Sequence, residues 1–223
     1  MTKPDLLLSS GFLLFMIQNI KHIILDLGGV LLDIDYQLTA DAFVQLGMKD
    51  FAQHYSQAAQ SDFFSDFETG KIEEAQFLSA LNAYMPQPVR EHELIAAWNA
   101  MLLDFPLRRL QILQQLQLHY DIVLLSNTNS IHERAFNQKL RSLCGFNSLA
   151  VFVDKVFYSH HIGMRKPDVA TFEYVLAQTG FNPAHTLFVD DSRQHIAGAQ
   201  SAGIQTILLE NGMTMEEHIF KSK

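Results

Sequence analysis

The sequence predicts a doubly wound α/β fold, in which helices cover both faces of a mostly parallel β-sheet. Short, continuous apolar runs are typical of strands buried on both faces, and here they alternate with amphipathic helical stretches. The runs are Ile23–Leu27, Ile122–Leu125, Lys155–Tyr158, Thr186–Val189 and Thr206–Leu209. The helical stretches are Leu107–Leu118, Ile131–Leu140, Ala170–Gln178 and Ile196–Ala202. In such sheets, ligands bind beyond the carboxyl ends of the strands.

The segment 36–105 interrupts this alternation. It shows helical periodicity only and is punctuated by Pro86 and Pro88. We therefore expect a helical insertion after the first strand, flanked by core residues 20–35 and 106–223. Because aromatic residues at helical spacing usually pack inside, we expect a group of them to form the core of the insertion: Phe63, Phe64, Phe67 and Trp98.

The composition is that of a folded, acidic chain. Of the 223 residues, 48% are hydrophobic and 18% are charged, which excludes a disordered or fibrous protein. The formal net charge is −8 and the sequence has no basic block, so we predict no nucleic-acid partner. The single cysteine, Cys144, cannot form an intrachain disulfide. Folding then needs no oxidising compartment, and we predict a cytoplasmic protein.

Residues 1–19 are expected to form a peripheral extension. Leu6–Ile17 is largely apolar, but it is too short to span a bilayer. It also matches a signal peptide only weakly, because a single lysine precedes it and no small-x-small cleavage site follows it. Met16 is a candidate start residue just before the first strand pattern. We expect no stable membrane association, and the patterns give no indication of the oligomeric state.

Polar residues follow the predicted strands where ligands are expected. Asp26, Gly28 and Gly29 lie at the end of the first strand, and Ser126 and Asn127 at the end of the second. Near the fourth strand the pattern adds Lys166, Asp190 and Asp191. These groups would be costly to bury unpaired. Because parallel strands end at one edge of the sheet, we expect the groups to converge there.

This collection of side chains favours phosphoryl transfer. A carboxylate such as Asp26 can attack phosphorus and form an aspartyl-phosphate. Mg2+ prefers oxygen ligands, which Asp26, Asp191 and the carbonyl of Gly28 can supply. The remaining donors would hold the phosphoryl oxygens of a small phosphorylated substrate, where charge gathers: Ser126, Asn127 and Lys166.

Four ordered motifs resemble those of the haloacid dehalogenase superfamily. They are Asp-Leu-Gly-Gly-Val at 26–30, Leu-Ser-Asn-Thr-Asn at 125–129, Gly-Met-Arg-Lys-Pro at 163–167 and Val-Asp-Asp at 189–191. The resemblance covers nearly the whole chain after residue 20 and implies a Rossmann-like core with a helical cap at 36–105. Leu31–Asp35 and Phe67–Ile72 further resemble the subgroup that contains α-D-glucose-1-phosphate phosphatase.

The resemblance also implies roles for the residues at the strand ends. Asp26 would be the nucleophile and a Mg2+ ligand, and Gly28 would offer its carbonyl to the metal. Asp191 would be a further metal ligand, and Asp190 would bind the ion directly or one of its ligands. The phosphate-binding residues would be Ser126, Asn127 and Lys166.

One departure concerns the general acid. Superfamily phosphatases usually carry a second Asp two residues after the nucleophile, and here that residue is Gly28. A general acid-base group typically contributes about 10²–10⁴-fold, so its loss should slow turnover of unactivated esters. Asp33 and Asp35 are the candidate replacements, although carboxylates at such positions more often serve turns and helix caps.

The histidines are not expected to form a site. His160 and His161 follow the third strand, and adjacent residues on a strand point to opposite faces, which argues against a joint metal site. The others singled out are expected to be structural or exposed: His22, His185 and His195.

The leading hypothesis is a Mg2+-dependent phosphatase for a small phosphorylated metabolite, with sugar phosphates among the candidates. A metal-independent 2-haloacid dehalogenase is the first alternative, and the extra carboxylates Asp190 and Asp191 argue against it. A non-catalytic phosphometabolite-binding or interaction protein is the second. The presence of Asp26 and Lys166 beside both carboxylates argues against that alternative.

Overall fold

The computed structural model of the chain describes residues 19–51, 55, 62–210 and 212–220. The expected N-terminal extension, including Leu6–Ile17 and Met16, therefore lies outside the described residues apart from Asn19. Among the helices of the described ranges, none combines the length and apolar character needed to cross a membrane.

Five parallel strands form one sheet in the order β3-β2-β1-β4-β5. The strands are β1 (His22–Leu25), β2 (Asp121–Ser126), β3 (Lys155–Tyr158), β4 (Thr186–Asp190) and β5 (Gln205–Leu208). Each predicted apolar run contributes a strand. The first strand ends at Leu25 instead of Leu27, because the chain turns at Leu27, whose carbonyl accepts from the amide of Leu31.

The central strand β1 fixes where polar residues gather. Leu25 pairs with Leu124 of β2 on one side and with Val189 of β4 on the other. The residues after these strands therefore meet at one edge of the sheet. The winding direction reverses between β1 and β4, and such a switch point is where open α/β sheets bind ligands.

Four helices lie in the described part of residues 36–105, which follow β1. They are α1 (Tyr36–Gln45), α2 (Asp62–Glu68), α3 (Glu74–Ala83) and α4 (Glu91–Asn99). We call residues 36–105 the inserted segment. It leaves and rejoins the rest of the chain at paired backbone, where the amide of Asp33 donates to the carbonyl of Asp104 (3.0 Å) and that of Leu103 donates to the carbonyl of Asp33 (2.9 Å).

The remaining helices alternate with the strands. They are α5 (Leu107–Leu116), α6 (Ser130–Cys144), the short turn α7 (Ser159–Ile162), α8 (Val169–Thr179) and α9 (Arg193–Ser201). Short 3-10 turns lie at Leu149–Val151 and Pro183–His185, and a π-helical turn lies at Met215–Ile219.

Two apolar clusters occupy the two faces of the sheet. Successive side chains of a strand point to opposite faces, and accordingly Ile23 and Leu25 belong to one cluster while Ile24 belongs to the other. Residues of α5 and α6 pack in the first cluster, and residues of α8 and α9 pack in the second. The doubly wound α/β prediction is therefore confirmed.

Aromatic side chains fill the inserted segment and connect it to the sheet. Phe64, Phe67 and Trp98 are buried as expected, whereas Phe63 is only partly buried. The indole of Trp98 stacks on His132 of α6, with 4.7 Å between the ring centroids. The inserted segment thus rests directly on the amino-terminal turn of α6.

Candidate active site

The groups predicted at the strand ends converge on one pocket. Six of the seven residues predicted to bind metal or phosphate line it together: Asp26, Gly28, Ser126, Asn127, Lys166 and Asp191. The seventh, Asp190, is fully buried behind the pocket surface, where it contacts Lys166. The structure brings these positions together at one edge of the sheet, and the roles assigned to them stay predictions.

The side chain of Asn127 fixes the backbone of Lys166. Its Nδ2 donates to the carbonyl of Lys166 (2.8 Å), and its Oδ1 accepts from the amide of Lys166 (2.9 Å). This two-way clamp joins the end of β2 to the loop before α8. The side chain of Asn127 therefore positions Lys166, a contact that the sequence motifs do not indicate.

Lys166 lies between two carboxylates. Its Nζ is 2.7 Å from Oδ1 of Asp26 and 2.7 Å from Oδ2 of Asp190, and its side chain is 0% exposed. Burial by itself would lower the pKa of Lys166, but the charges and hydrogen bonds of Asp190 and Asp26 outweigh it and raise that pKa. Lys166 therefore keeps its ammonium form although it is buried.

The two carboxylates around Lys166 differ in acidity. Burial raises the pKa of Asp26 to about 6, since the charge of Lys166 only partly opposes burial and Asp190 reinforces it. Burial would also raise the pKa of Asp190, but Lys166 and His195 together outweigh it and hold that pKa at about 2. Asp190 is therefore the more acidic of the two, and additional positive charge beside Asp26 would favour the ionised form of that carboxyl.

His195 is part of this arrangement, contrary to the expectation of an incidental histidine. Its Nδ1 lies 3.0 Å from both carboxylate oxygens of Asp190, and the side chain lines the pocket. His195 belongs to the first turn of α9, five residues after the end of β4. A histidine in the first helical turn after a carboxylate strand end is the signal that could have found it.

Gly29 allows Asp191 to approach the first loop. Its φ is +72°, a conformation that glycine adopts without strain, and a Cβ at this position would collide with the carboxylate of Asp191. Gly29 therefore makes room for a carboxylate that follows the neighbouring strand β4.

The charge balance and donor set of the pocket fit a hard divalent cation. Asp26, Asp190 and Asp191 supply three carboxylates, and Lys166 supplies one buried ammonium. Ligand atoms of Asp26, Asp190 and His195 lie within 4.8 Å of one another. A divalent ion here would meet the oxygen ligands that Mg2+ prefers and would stabilise the charged form of Asp26.

Neither candidate for the missing general acid reaches the pocket. Oδ1 of Asp33 pairs with Nη1 of Arg109 (2.7 Å), and Nε of Arg109 also pairs with Glu216 (2.9 Å). Asp35 caps α1 by accepting from the amide of Gln37 (2.9 Å). Both carboxylates therefore make the structural contacts that such positions usually make.

The prediction that His160 and His161 point to opposite faces of a strand is wrong. His160 and His161 lie in the helical turn α7 instead of on a strand, so adjacent side chains diverge by about 100° and not by 180°. Nε2 of His160 lies 3.0 Å from Oε2 of Glu133, and Nε2 of His161 lies 3.2 Å from the same atom. The two rings share one carboxylate oxygen.

The inserted segment forms the wall of the pocket that faces the strand ends. It contributes Tyr36, Tyr55, Glu68 and Met101, and the loop before Lys166 adds Arg165. Nη2 of Arg165 pairs with Oε2 of Glu68 (3.0 Å), and the Glu68 side chain is buried. Sequence reasoning did not find this buried pair, because its two residues are far apart in the chain and belong to different elements.

Comparison with known proteins gives consistent matches over most of the chain. Residues 20–203 match the family model of haloacid dehalogenase-like hydrolases. The chain is 29% identical over 201 residues to D-ribitol-5-phosphate phosphatase from Bacteroides thetaiotaomicron, covering 90% of this chain and 97% of that protein. It is 28% identical over 198 residues to sesquiterpene phosphatase from Aspergillus oryzae, covering 89% and 94% of the two chains.

A solved structure is similar as well. The crystal structure of a wild-type haloacid dehalogenase family enzyme from Bacteroides thetaiotaomicron, in complex with magnesium and inorganic phosphate, superposes with a TM-score of 0.80. The two sequences are 30% identical, and the match covers 90% of this chain and 98% of the other. On the extent of the family match and the agreement of the fold, this chain belongs to the haloacid dehalogenase-like hydrolases.

Proposed function

We propose that the protein is a Mg2+-dependent phosphatase that hydrolyses a small phosphorylated sugar or polyol through an aspartyl-phosphate on Asp26. The observation that carries the proposal is the placement of a buried carboxylate 2.7 Å from the buried ammonium of Lys166, at the strand ends of a doubly wound sheet. The similarity to D-ribitol-5-phosphate phosphatase and to a magnesium- and phosphate-bound enzyme supports it.

The proposed first step is attack by Asp26. Its carboxylate oxygen forms a bond to phosphorus while the bond from phosphorus to the leaving oxygen breaks, and the leaving alkoxide takes up a proton from a water molecule. The ammonium of Lys166 offsets the charge that gathers on the phosphoryl oxygens, and the hydroxyl of Ser126 donates a hydrogen bond to them. A water molecule then attacks the phosphorus of the aspartyl-phosphate, which releases inorganic phosphate and restores the carboxylate of Asp26.

Mg2+, when bound, neutralises negative charge shared by the phosphoryl group and the carboxylates. Asp26, Asp191 and the carbonyl of Gly28 are the groups that would hold it, with Asp190 beside them. Asp190 also keeps Lys166 protonated and in place, since the ammonium contacts both Asp26 and Asp190.

We infer that the inserted segment acts as a cap that selects the leaving group. Glu68 and Arg165 place a carboxylate and a guanidinium in the pocket wall, and Nε of Arg165 is buried without a hydrogen-bond partner among the described residues. Hydroxyl groups of a sugar or polyol can donate to Glu68 and accept from Arg165. An apolar leaving group would offer no partner to the buried Nε of Arg165, which is unfavourable in a buried site.

A substrate panel tests the activity. Phosphate release is measured for ribitol 5-phosphate, hexose phosphates, farnesyl phosphate and p-nitrophenyl phosphate, each with Mg2+ and with EDTA. We expect release that depends on Mg2+ and favours the hydroxylated substrates over farnesyl phosphate. Absence of release from every phosphate, or equal release in EDTA, would overturn the proposal. Halide release from chloroacetate in EDTA would instead support a dehalogenase.

The selectivity of the pocket wall is tested with Glu68→Gln. We expect KM for the preferred polyol or sugar phosphate to rise about tenfold or more, because a charge-assisted contact to a hydroxyl is lost. KM for p-nitrophenyl phosphate, which has no hydroxyls on its leaving group, should change little. Asp66→Asn is the matched control, because this partly exposed residue of the same helix pairs with Lys71 and does not line the pocket. Equal effects of Glu68→Gln on both substrates would contradict leaving-group recognition by Glu68.

A further inference from the structure

We propose that Glu133, His160 and His161 form a binding site for a transition-metal ion of the Zn2+ type, separate from the carboxylate pocket. None of these three residues lines that pocket. They come from two neighbouring elements, the first turn of α6 and the turn α7. The proposal does not depend on the phosphatase assignment.

The geometry of the cluster is close to that of a metal centre. Nε2 of His160 and Nε2 of His161 lie 3.0 Å and 3.2 Å from Oε2 of Glu133, and the three ligand atoms all lie within 4.8 Å of one another. A tetrahedral ion with metal–ligand distances of about 2.0–2.2 Å holds its ligand atoms roughly 3.3–3.6 Å apart. The two histidine–carboxylate distances would therefore need to open by only a few tenths of an ångström.

The backbone that carries the cluster is already fixed. The hydroxyl of Ser159 accepts from the amide of Thr128 (2.9 Å) and donates to the carbonyl of Thr128 (2.9 Å), and both side chains are buried. These bonds tie the loop that leads into α6 to the turn α7. Because the ligand-bearing elements are locked together, ion binding would cost little backbone ordering.

The donor atoms select the class of ion. Imidazole nitrogens suit Zn2+, Ni2+ and Cu2+, whereas Mg2+ takes oxygen ligands. Two histidines and one glutamate form a known set of zinc ligands that leaves a fourth position open. The His161 side chain is 57% exposed, so the ion has a path from solvent and water can reach the fourth position.

Tyr158 provides an independent observation beside the cluster. Its ring lies 6.0 Å from that of His160 and 5.6 Å from that of His161. The residue is 3% exposed, and its hydroxyl has no hydrogen-bond partner among the described residues. A water molecule bound to the open metal position would be a partner of the right type for this buried hydroxyl.

The test is Zn2+ titration of the full chain, first freed of metal and then held in excess Mg2+ so that the carboxylate pocket is occupied. Isothermal titration calorimetry measures the affinity, and visible absorption after Co2+ addition reports the coordination geometry. We expect one Zn2+ site in the wild-type protein and a tetrahedral Co2+ spectrum. His161→Gln and Glu133→Gln should each weaken Zn2+ binding at least about tenfold.

His92→Gln, which changes an exposed histidine on α4, is the matched control and should bind Zn2+ like the wild type. His161 is also exposed, so its replacement should leave the fold intact. His161→Gln therefore tests the metal site even if Glu133→Gln fails to fold. Failure of the wild type to bind Zn2+, or equal binding by wild type and His161→Gln, would overturn the proposal. The cluster would then be only two histidines hydrogen-bonded to one carboxylate.

Discussion

The Nζ of Lys166 lies 2.7 Å from a carboxylate oxygen of Asp190, and neither side chain is exposed to solvent. The same ammonium lies 2.7 Å from Asp26 at the pocket surface. Asp190 therefore acts from behind the pocket, where it holds Lys166 charged and directed at Asp26. Because one buried ammonium contacts both carboxylates, a change at Lys166 should affect both the stability of the fold and the chemistry of the pocket.

Replacement of Lys166 by Met should show this link. Without the ammonium, two buried carboxylates face each other, so we expect the metal-free protein to lose about 3–5 kcal/mol of unfolding free energy. Mg2+ should raise the Tm of the variant more than that of the wild type, because the ion replaces part of the missing charge. Thermal denaturation with and without Mg2+ measures both effects. Lys155→Met, which changes an exposed lysine, is the control. Equal Mg2+-induced Tm shifts in Lys166→Met and the wild type would contradict this electrostatic explanation.

Asp33→Asn should leave catalysis nearly intact. Asp33 is bound to Arg109 and does not line the pocket, and its side chain is 46% exposed. We expect kcat to stay within about threefold of the wild-type value, whereas loss of a general acid-base group costs about 10²–10⁴-fold. The Arg109 side chain is only 5% exposed, so the loss of its contact with Asp33 should cost about 1–3 kcal/mol of stability, while Glu216 keeps the guanidinium paired. A hundredfold fall in kcat in a protein that stays folded would instead assign proton transfer to Asp33.

Gly29→Ala should weaken Mg2+ binding. The added Cβ would collide with the carboxylate of Asp191, so that carboxylate must move. Displacement of a metal ligand by a neighbouring change typically costs about 10- to 100-fold in affinity. The Mg2+ concentration that gives half-maximal activity measures the effect. Gly180→Ala is the control for backbone strain alone, because Gly180 also has a positive φ (+73°) but no atom within 4 Å of a Cβ placed there. Equal Mg2+ requirements in the two variants would argue against a collision between the added Cβ and Asp191.

His132 should make stability depend on pH. Burial lowers the pKa of its imidazole to about 4, although its hydrogen bond to the carbonyl of Trp98 partly opposes this. The unfolded chain therefore binds a proton between about pH 6.5 and pH 4 that the folded chain does not. The stabilisation is complete above about pH 6.5 and declines as the pH falls toward 4, by up to about 3 kcal/mol.

Urea unfolding at several pH values checks this for the wild type and for His132→Gln. We expect the wild type to lose more stability than the variant between neutral and acidic pH. The same pH dependence in both proteins would show that His132 is not the responsible group.

The positions of the polar site residues were predictable, because buried apolar strands of a parallel sheet can carry such residues only at their ends. The runs containing Ile24, Val123 and Phe188 place their following residues at one edge, and the motifs at Asp26, Lys166 and Asp191 meet there. The family was recognisable from the same motifs. The boundaries of the cap and the likeness to the α-D-glucose-1-phosphate phosphatase subgroup stay predictions.

Contacts between side chains from distant elements were not predictable. The clamp of Asn127 on the Lys166 backbone and the pair of Glu68 with Arg165 depend on how loops meet in space. The role of His195 was missed because the apolar pattern of the helix after β4 does not show that the imidazole ring turns toward Asp190. The error at His160 and His161 came from extending a strand by two residues into a helical turn.

The most direct test of the central claim is phosphate release by Asp26→Asn. The substitution keeps the shape of the side chain but removes the nucleophilic carboxylate. We expect turnover of the preferred phosphate ester, with saturating Mg2+, to fall at least about 10³-fold while the protein stays folded. Phosphate release at the wild-type rate by folded Asp26→Asn would contradict nucleophilic attack by Asp26.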